Sequence, residues 1–150
     1  ERNLNLNNMT ANIYQKAVVS SDKKKMSMYV GNDMQVWRNS LYKDWGNQKF
    51  SVGCVHFSEV LNDSKNCVKM DIEGAEMDIL ENMNVFPNKM VFEWSLDIDR
   101  SLTRYRKMID KFKTEYNKMM YKEQFYGLPD ESLPNYIFPK ADNIYCYEKN

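Results

Sequence analysis

Between Cys67 and Met83 the spacing of apolar residues changes from that of a strand to that of a helix, and the change happens across one glycine. Cys67 to Ile72 is a compact β-type run that stops at Gly74. Ala75, Ile79 and Met83 then recur at four-residue spacing with Leu80 alongside, one face of a helix whose end is marked by Pro87 and Asn88. In an open α/β sheet, ligands bind beyond the carboxyl ends of the strands, where this corner would stand. It carries two carboxylates, Asp71 and Glu73. Period two places them on the same side if extension continues to Glu73, and Gly74 lets the backbone turn tightly into the helix. Glu76 falls in the first helical turn, where a negative charge meets the positive end of the helix dipole. Asp71 and Glu73 also have a purely structural reading, as a helix N-cap and a first-turn acid.

The rest of the chain alternates in the same way. Ile13 to Ser20 reads as a strand ending in the Ser20-Ser21-Asp22 turn cluster, and Met26 to Val30 as a second one closed by Gly31-Asn32-Asp33. Asp33 to Gly53 is polar, aromatic and weakly periodic, an irregular excursion. Val52 to Phe57 is a short strand, followed by one helical turn over Ser58 to Asn62. Lys89 to Leu96 holds the buried run Met90-Val91-Phe92. Ser101 then caps the longest helix, in which Leu102, Tyr105, Met108, Ile109, Phe112 and Tyr116 share a face. Lys118 to Phe125 and Asn143 to Glu148 are the last strands, and the proline-bearing stretch Gly127 to Ala141 between them is loop. The expected fold is an α/β sheet sandwiched between helices, closing on an antiparallel pair.

Composition removes several function classes. The chain of 150 residues balances 21 Lys and Arg against 21 Asp and Glu, without the basic surplus that phosphate binding uses. No apolar stretch approaches the ~18 residues of a membrane span. Cys54, Cys67 and Cys146 are odd in number and form no CxxC, so reduced thiols in a cytoplasmic setting are expected. The five glycines are scattered, which excludes a phosphate-cradling loop. His56 is the one histidine, so multi-histidine metal sites are excluded and a structural role is expected for it. Trp37, Trp45, Tyr42 and Trp94 suit packing on the sheet better than stacking on a sugar or nucleobase.

The stretch Lys69-Met70-Asp71-Ile72-Glu73-Gly74-Ala75-Glu76, with Ile79-Leu80 behind it, resembles the signature Lys-Ile-Asp-Val-Glu-Gly-Ala-Glu plus apolar pair of the FkbM-type methyltransferases. Other segments follow the family's order. Asn3 to Asn8 resembles the end of its second helix, and Ala17-Val18-Val19-Ser20 the close of its third strand. Cys54 to Leu61 is similar to the strand and turn before the signature, although Phe57-Ser58 stands where Leu-Asp is usual. Phe92-Glu93 resembles the next strand, and Ala141 to Tyr147 the final hairpin strand.

The resemblance implies a Rossmann-like methyltransferase sheet with flanking helices and a C-terminal antiparallel hairpin, using S-adenosylmethionine. The Gly-rich turn and the acid that hold the cofactor in this family precede the segment that Glu1-Arg2-Asn3 resembles. Residues 1–150 are therefore expected to be a single, N-terminally truncated domain lacking the first strands. A missing N-terminal segment or a second copy of the chain would cover the open sheet edge. The implied activity is O-methylation of a small hydroxyl-bearing acceptor such as a carbohydrate. Asp71 would face that acceptor with Glu73 beside it, and Ala17 and Val18 would lie on the cofactor side. Asp71 and Glu93 would be candidate ligands for Mg²⁺, which prefers oxygen donors. The competing expectation is a non-catalytic α/β remnant that works by associating with another protein.

Overall fold

The computed structural model of the chain describes residues 2–31, 39–42, 44, 48–61, 67–94, 101–121 and 142–149. These form a mixed α/β fold with two four-stranded sheets. A short helix α1 (Arg2–Leu6) precedes β1 (Ala17–Val19), β2 (Lys25–Val30), β3 (Asn39–Ser40), β4 (Gln48–His56) and the single-turn helix α2 (Phe57–Val60). The first sheet has the order β1-β4-β2-β3, with β1 parallel to β4 and the other pairs antiparallel. The second half comprises β5 (Cys67–Met70), α3 (Glu76–Asn82), β6 (Lys89–Trp94), α4 (Leu102–Glu115), β7 (Tyr116–Met120) and β8 (Asp142–Lys149). Its sheet runs β5-β6-β8-β7. β5 and β6 are parallel, joined through α3, and β8 is antiparallel to both of its neighbours.

The expected strand-to-helix order thus holds, but the irregular excursion does not. β3 and most of β4 lie inside Asp33 to Gly53, and β4 pairs with β2 from Lys25↔Gly53 to Val30↔Gln48. Gln48 to Ser51 are all exposed, so no alternation of apolar and polar residues marks them as a strand. Backbone pairing alone makes them one. At the other end, only Ala17 to Val19 of the expected Ile13 strand finds a partner. Residues 122–141, and with them the expected proline-bearing loop, lie outside the described residues.

The core sits on one face of the second sheet. Met90, Phe92 and Trp94 of β6 alternate inward with Ile144 and Cys146 of β8. Against them pack Ile79 and Leu80 of α3 and the stripe Leu102, Tyr105, Met108, Ile109 and Phe112 of α4. Ser101 is the N-cap expected, its hydroxyl accepting from the Arg104 N–H at 3.2 Å. Trp94 stacks on Tyr105 with ring centres 4.1 Å apart, so it packs as expected.

Among the described residues the opposite face of this sheet is open rather than sandwiched. A groove of about 610 Å³ runs across it, lined by Cys67, Lys69, Lys89, Val91, Tyr145 and Tyr147 among others. The outer edge of β5 pairs with no described strand.

Two cations from α4 hold α3 in place. Lys111 Nζ donates to the carbonyls of Leu80 and Glu81 at 2.9 and 2.8 Å, satisfying acceptors that a helix end leaves without partners. Arg104 grips both Glu81 oxygens at 2.8 Å and reaches Asp78 at 3.1 Å. Hydrogen bonding to Arg104 lowers the Glu81 pKa. A depressed carboxylate stabilises the fold above its unfolded value and stops doing so as pH falls through its folded value. Glu81→Gln should therefore melt below the parent at pH 7 and converge with it below about pH 4 in thermal scans; a gap independent of pH would show that the ion pair is not responsible.

Candidate functional site

The acidic corner follows β5 directly. β5 ends at Met70 and α3 starts at Glu76, so Asp71 to Ala75 form a turn at the carboxyl end of a parallel strand. Extension does not continue to Glu73. That residue has φ 53° and Gly74 has φ 103°, two successive left-handed conformations, so the period-two argument that placed Asp71 and Glu73 on one side does not apply. Glycine adopts such an angle without cost, whereas glutamate must be held in it.

The holding group is Glu76. Its side chain is 2% exposed, and its carboxylate accepts from the Ile72 N–H at 2.6 Å and the Gly74 N–H at 2.7 Å. The turn points these N–H groups inward, and the first residue of the helix satisfies them from within. Ala75, the N-cap residue, makes no side-chain cap bond, so neither Asp71 nor Glu73 is the helix cap. Burial pulls the Glu76 pKa up, and the backbone N–H groups around it pull it back down; burial prevails and the pKa is raised. The helix-dipole reading of Glu76 missed this role. The one sequence cue was an acid two residues after a glycine that had to turn.

The turn is also held from the other sheet. Ser40 of β3, 1% exposed, donates from Oγ to the Glu73 carbonyl at 2.5 Å, and the same oxygen accepts from the Tyr42 N–H at 3.1 Å. The Tyr42 hydroxyl donates to Asp78 Oδ2 at 2.5 Å, reaching α3 next to Arg104. Burial, followed by the Asp78 bond, raises the Tyr42 pKa. No sequence signal marked Ser40, and Tyr42, expected only to pack on the sheet, is instead exposed and bonded to Asp78; both bonds span more than thirty residues of chain.

Of the expected site residues, Asp71 is exposed and accepts from Lys69 Nζ at 2.9 Å. Lys69 also feels the charge of Glu93, and both acids raise its pKa, the Asp71 hydrogen bond most. The chain's own lysine thus pairs with Asp71, one of the two expected metal ligands. No group of three His, Cys, Asp or Glu side chains among the described residues is placed to hold a metal ion. Asp71 and Glu93 therefore stand as two carboxylates without a third such ligand gathered beside them among the described residues. Ala17 and Val18 are half-buried in β1, paired with Cys54 and Val55 of β4, and Val18 packs on the main core.

His56 Nδ1 accepts from the Ser58 N–H at 3.3 Å and caps α2, which leaves the Nε2–H to face the Ser20 carbonyl at 3.3 Å. Cys54, Cys67 and Cys146 are all free thiols. Trp37 and Trp45 lie outside the described residues. No described helix is long and apolar enough to cross a membrane.

The corner is thus a rigid strand-to-helix turn that presents an exposed carboxylate beside a lysine. Comparison with known families matches residues 1–121 to the family described as the methyltransferase FkbM domain. No curated protein and no solved structure matches the chain.

Proposed function

Because the chain belongs to the FkbM methyltransferase domain family, we propose that it serves S-adenosylmethionine-dependent methyl transfer to a small hydroxyl-bearing acceptor, with a carbohydrate as the favoured class. The observation that carries this reading is the Asp71–Glu76 turn. It lies at the carboxyl end of a parallel strand, within the matched region, and its backbone is held by hydrogen bonds to the buried residues Glu76 and Ser40. A sheet of Rossmann type, completed by strands beyond those described, is part of the same proposal.

When bound, the sulfonium supplies the methyl group. Asp71 would orient the acceptor hydroxyl and take its proton as the oxygen–carbon bond forms and the methyl–sulfur bond breaks, the sulfur leaving as a neutral thioether. Lys69 holds the carboxylate in one orientation for that task. Glu73, displayed by the left-handed turn, is the second acid on the acceptor side. Ala17 and Val18 flank the cofactor, and their small, half-buried side chains suit contact with an apolar or aromatic ligand surface. Lys69 pairs with Asp71, one of the acids considered for a metal, and no metal step is part of this proposal. Three free thiols favour a reducing, cytoplasmic setting.

Two measurements test the reading. S-adenosylhomocysteine at 100 times its dissociation constant should stabilise the chain by about 2.7 kcal/mol, raising the melting temperature by several degrees. Asp71→Asn should lower methyl transfer to a hydroxyl acceptor about a hundredfold while leaving the thermal shift intact. Unchanged turnover in that variant would remove Asp71 from the chemistry. The competing reading, an association module, is favoured by the open groove over β5, β6 and β8. It predicts self-association or partner binding with no response to S-adenosylhomocysteine, which sedimentation and the same melting experiment resolve.

A further inference from the structure

The Glu73–Gly74 peptide is gripped at both ends by buried side chains that come from different parts of the fold. Its N–H donates to Glu76 Oε2 at 2.7 Å, from the helix just beyond the turn. Its carbonyl accepts from Ser40 Oγ at 2.5 Å, from β3 at the edge of the other sheet. Ser40 can donate in only one useful direction, because its oxygen already accepts the Tyr42 N–H at 3.1 Å. The strand carrying Ser40 is itself tied to α3 through the Tyr42 hydroxyl and Asp78, at 2.5 Å.

We infer that Ser40 is a positioning residue for the acidic corner: it holds the Glu73–Gly74 peptide in its observed orientation and so sets where the Asp71–Glu73 acids are displayed. The physical argument concerns a peptide flip. Rotating this plane would change ψ of Glu73 and φ of Gly74 together, and glycine tolerates either sign of φ, so Gly74 offers no resistance. That rotation leaves φ of Glu73 at 53°, an angle glutamate does not favour in either orientation, so the turn depends on contacts beyond its own residues to hold it. Glu76 holds the N–H end and Ser40 the carbonyl end. With Ser40 gone, the carbonyl loses a buried donor and the restraint at that end of the peptide weakens. The first sheet thereby controls the geometry of a site built on the second. Its functional consequence rests on the methyl-transfer reading, whereas the positioning itself does not.

The test is residue-resolved amide hydrogen exchange on the full chain, which needs neither cofactor nor turnover. In Ser40→Ala the Gly74 and Ile72 amides should exchange about tenfold faster, while Phe92 and Ile109 in the core keep their parental rates. Ser40→Cys retains the shape with a weaker donor and should move the same two amides in the same direction. Parental protection at Gly74 in both variants overturns the inference. So does a uniform rise that includes Phe92 and Ile109, which would mark Ser40 as merely structural. Where the parent transfers methyl groups, Ser40→Ala should lower kcat about tenfold with KM for the cofactor unchanged, and an unchanged kcat overturns the positioning role. A parent without methyl transfer counts against the proposed function alone, and the exchange pattern still decides the fate of Ser40.

Discussion

Glu76→Ala should melt about 6–12 °C below the parent, a loss of about 3 kcal/mol. The substitution leaves the Ile72 and Gly74 N–H groups inside the turn without the acceptor they now meet at 2.6 and 2.7 Å. Each buried donor left without a partner costs about 1–3 kcal/mol. Relief of a desolvated charge offsets part of that cost, since burial already opposes the ionised form of Glu76. Glu76→Gln should fall between, because one amide oxygen can serve one N–H while its amino group faces the other. The pH dependence has the opposite sign to that of Glu81 on the same helix. The folded Glu76 binds its proton more tightly than the unfolded chain does, so its contribution is complete at low pH and declines as pH rises through its raised value. The gap between parent and Glu76→Gln should narrow from pH 4 to pH 7. A gap that widens over that range would show the N–H groups outweighing burial.

Phe112→Ala should cost about 3–5 kcal/mol, enough to lower the melting temperature by about 10 °C. Phe112 is 0% exposed and lies where α4 meets the sheet, with ring centres 5.3 Å from Phe86, 5.4 Å from Phe92 and 6.0 Å from Tyr116. Truncation removes contacts with all three rings, and the strand-borne Phe92 has no freedom to follow the vacated space. The Tyr116 hydroxyl, bonded to the Pro87 carbonyl at 2.6 Å, pins a second wall of the same cavity. Val85→Ala, at an exposed position, is the control and should change stability by less than about 0.5 kcal/mol. Equal losses in the two variants, measured by urea unfolding, would contradict the placement of the core.

The parts of this fold that were legible in the sequence are those in which burial repeats with a local period. The inward positions of β6 alternate, and the α4 stripe recurs every three or four residues, so each could be read without its neighbours. Ser101 announced the start of α4 for a similar reason, since a cap bonds within its own turn. The exposed half of β4 and the two-residue β3 carry no such record. Their identity as strands depends on pairing with β2, whose place in space is not written in their own residues.

At the site the division is sharper. The run from Lys69 to Glu76 by itself determined the family resemblance, the strand-to-helix order and the presence of acids at the turn. These depend on residue types in adjacent positions. How each acid is held was decided only by the tertiary structure. Glu73 departs from extension because Glu76 and Ser40 bond its following peptide from opposite sides. Asp71 is paired by Lys69, whose pKa the charge of Glu93 also raises. A hydrogen bond across 33 residues leaves no periodicity to read, because loop closure brings its partners together without constraining the sequence between them.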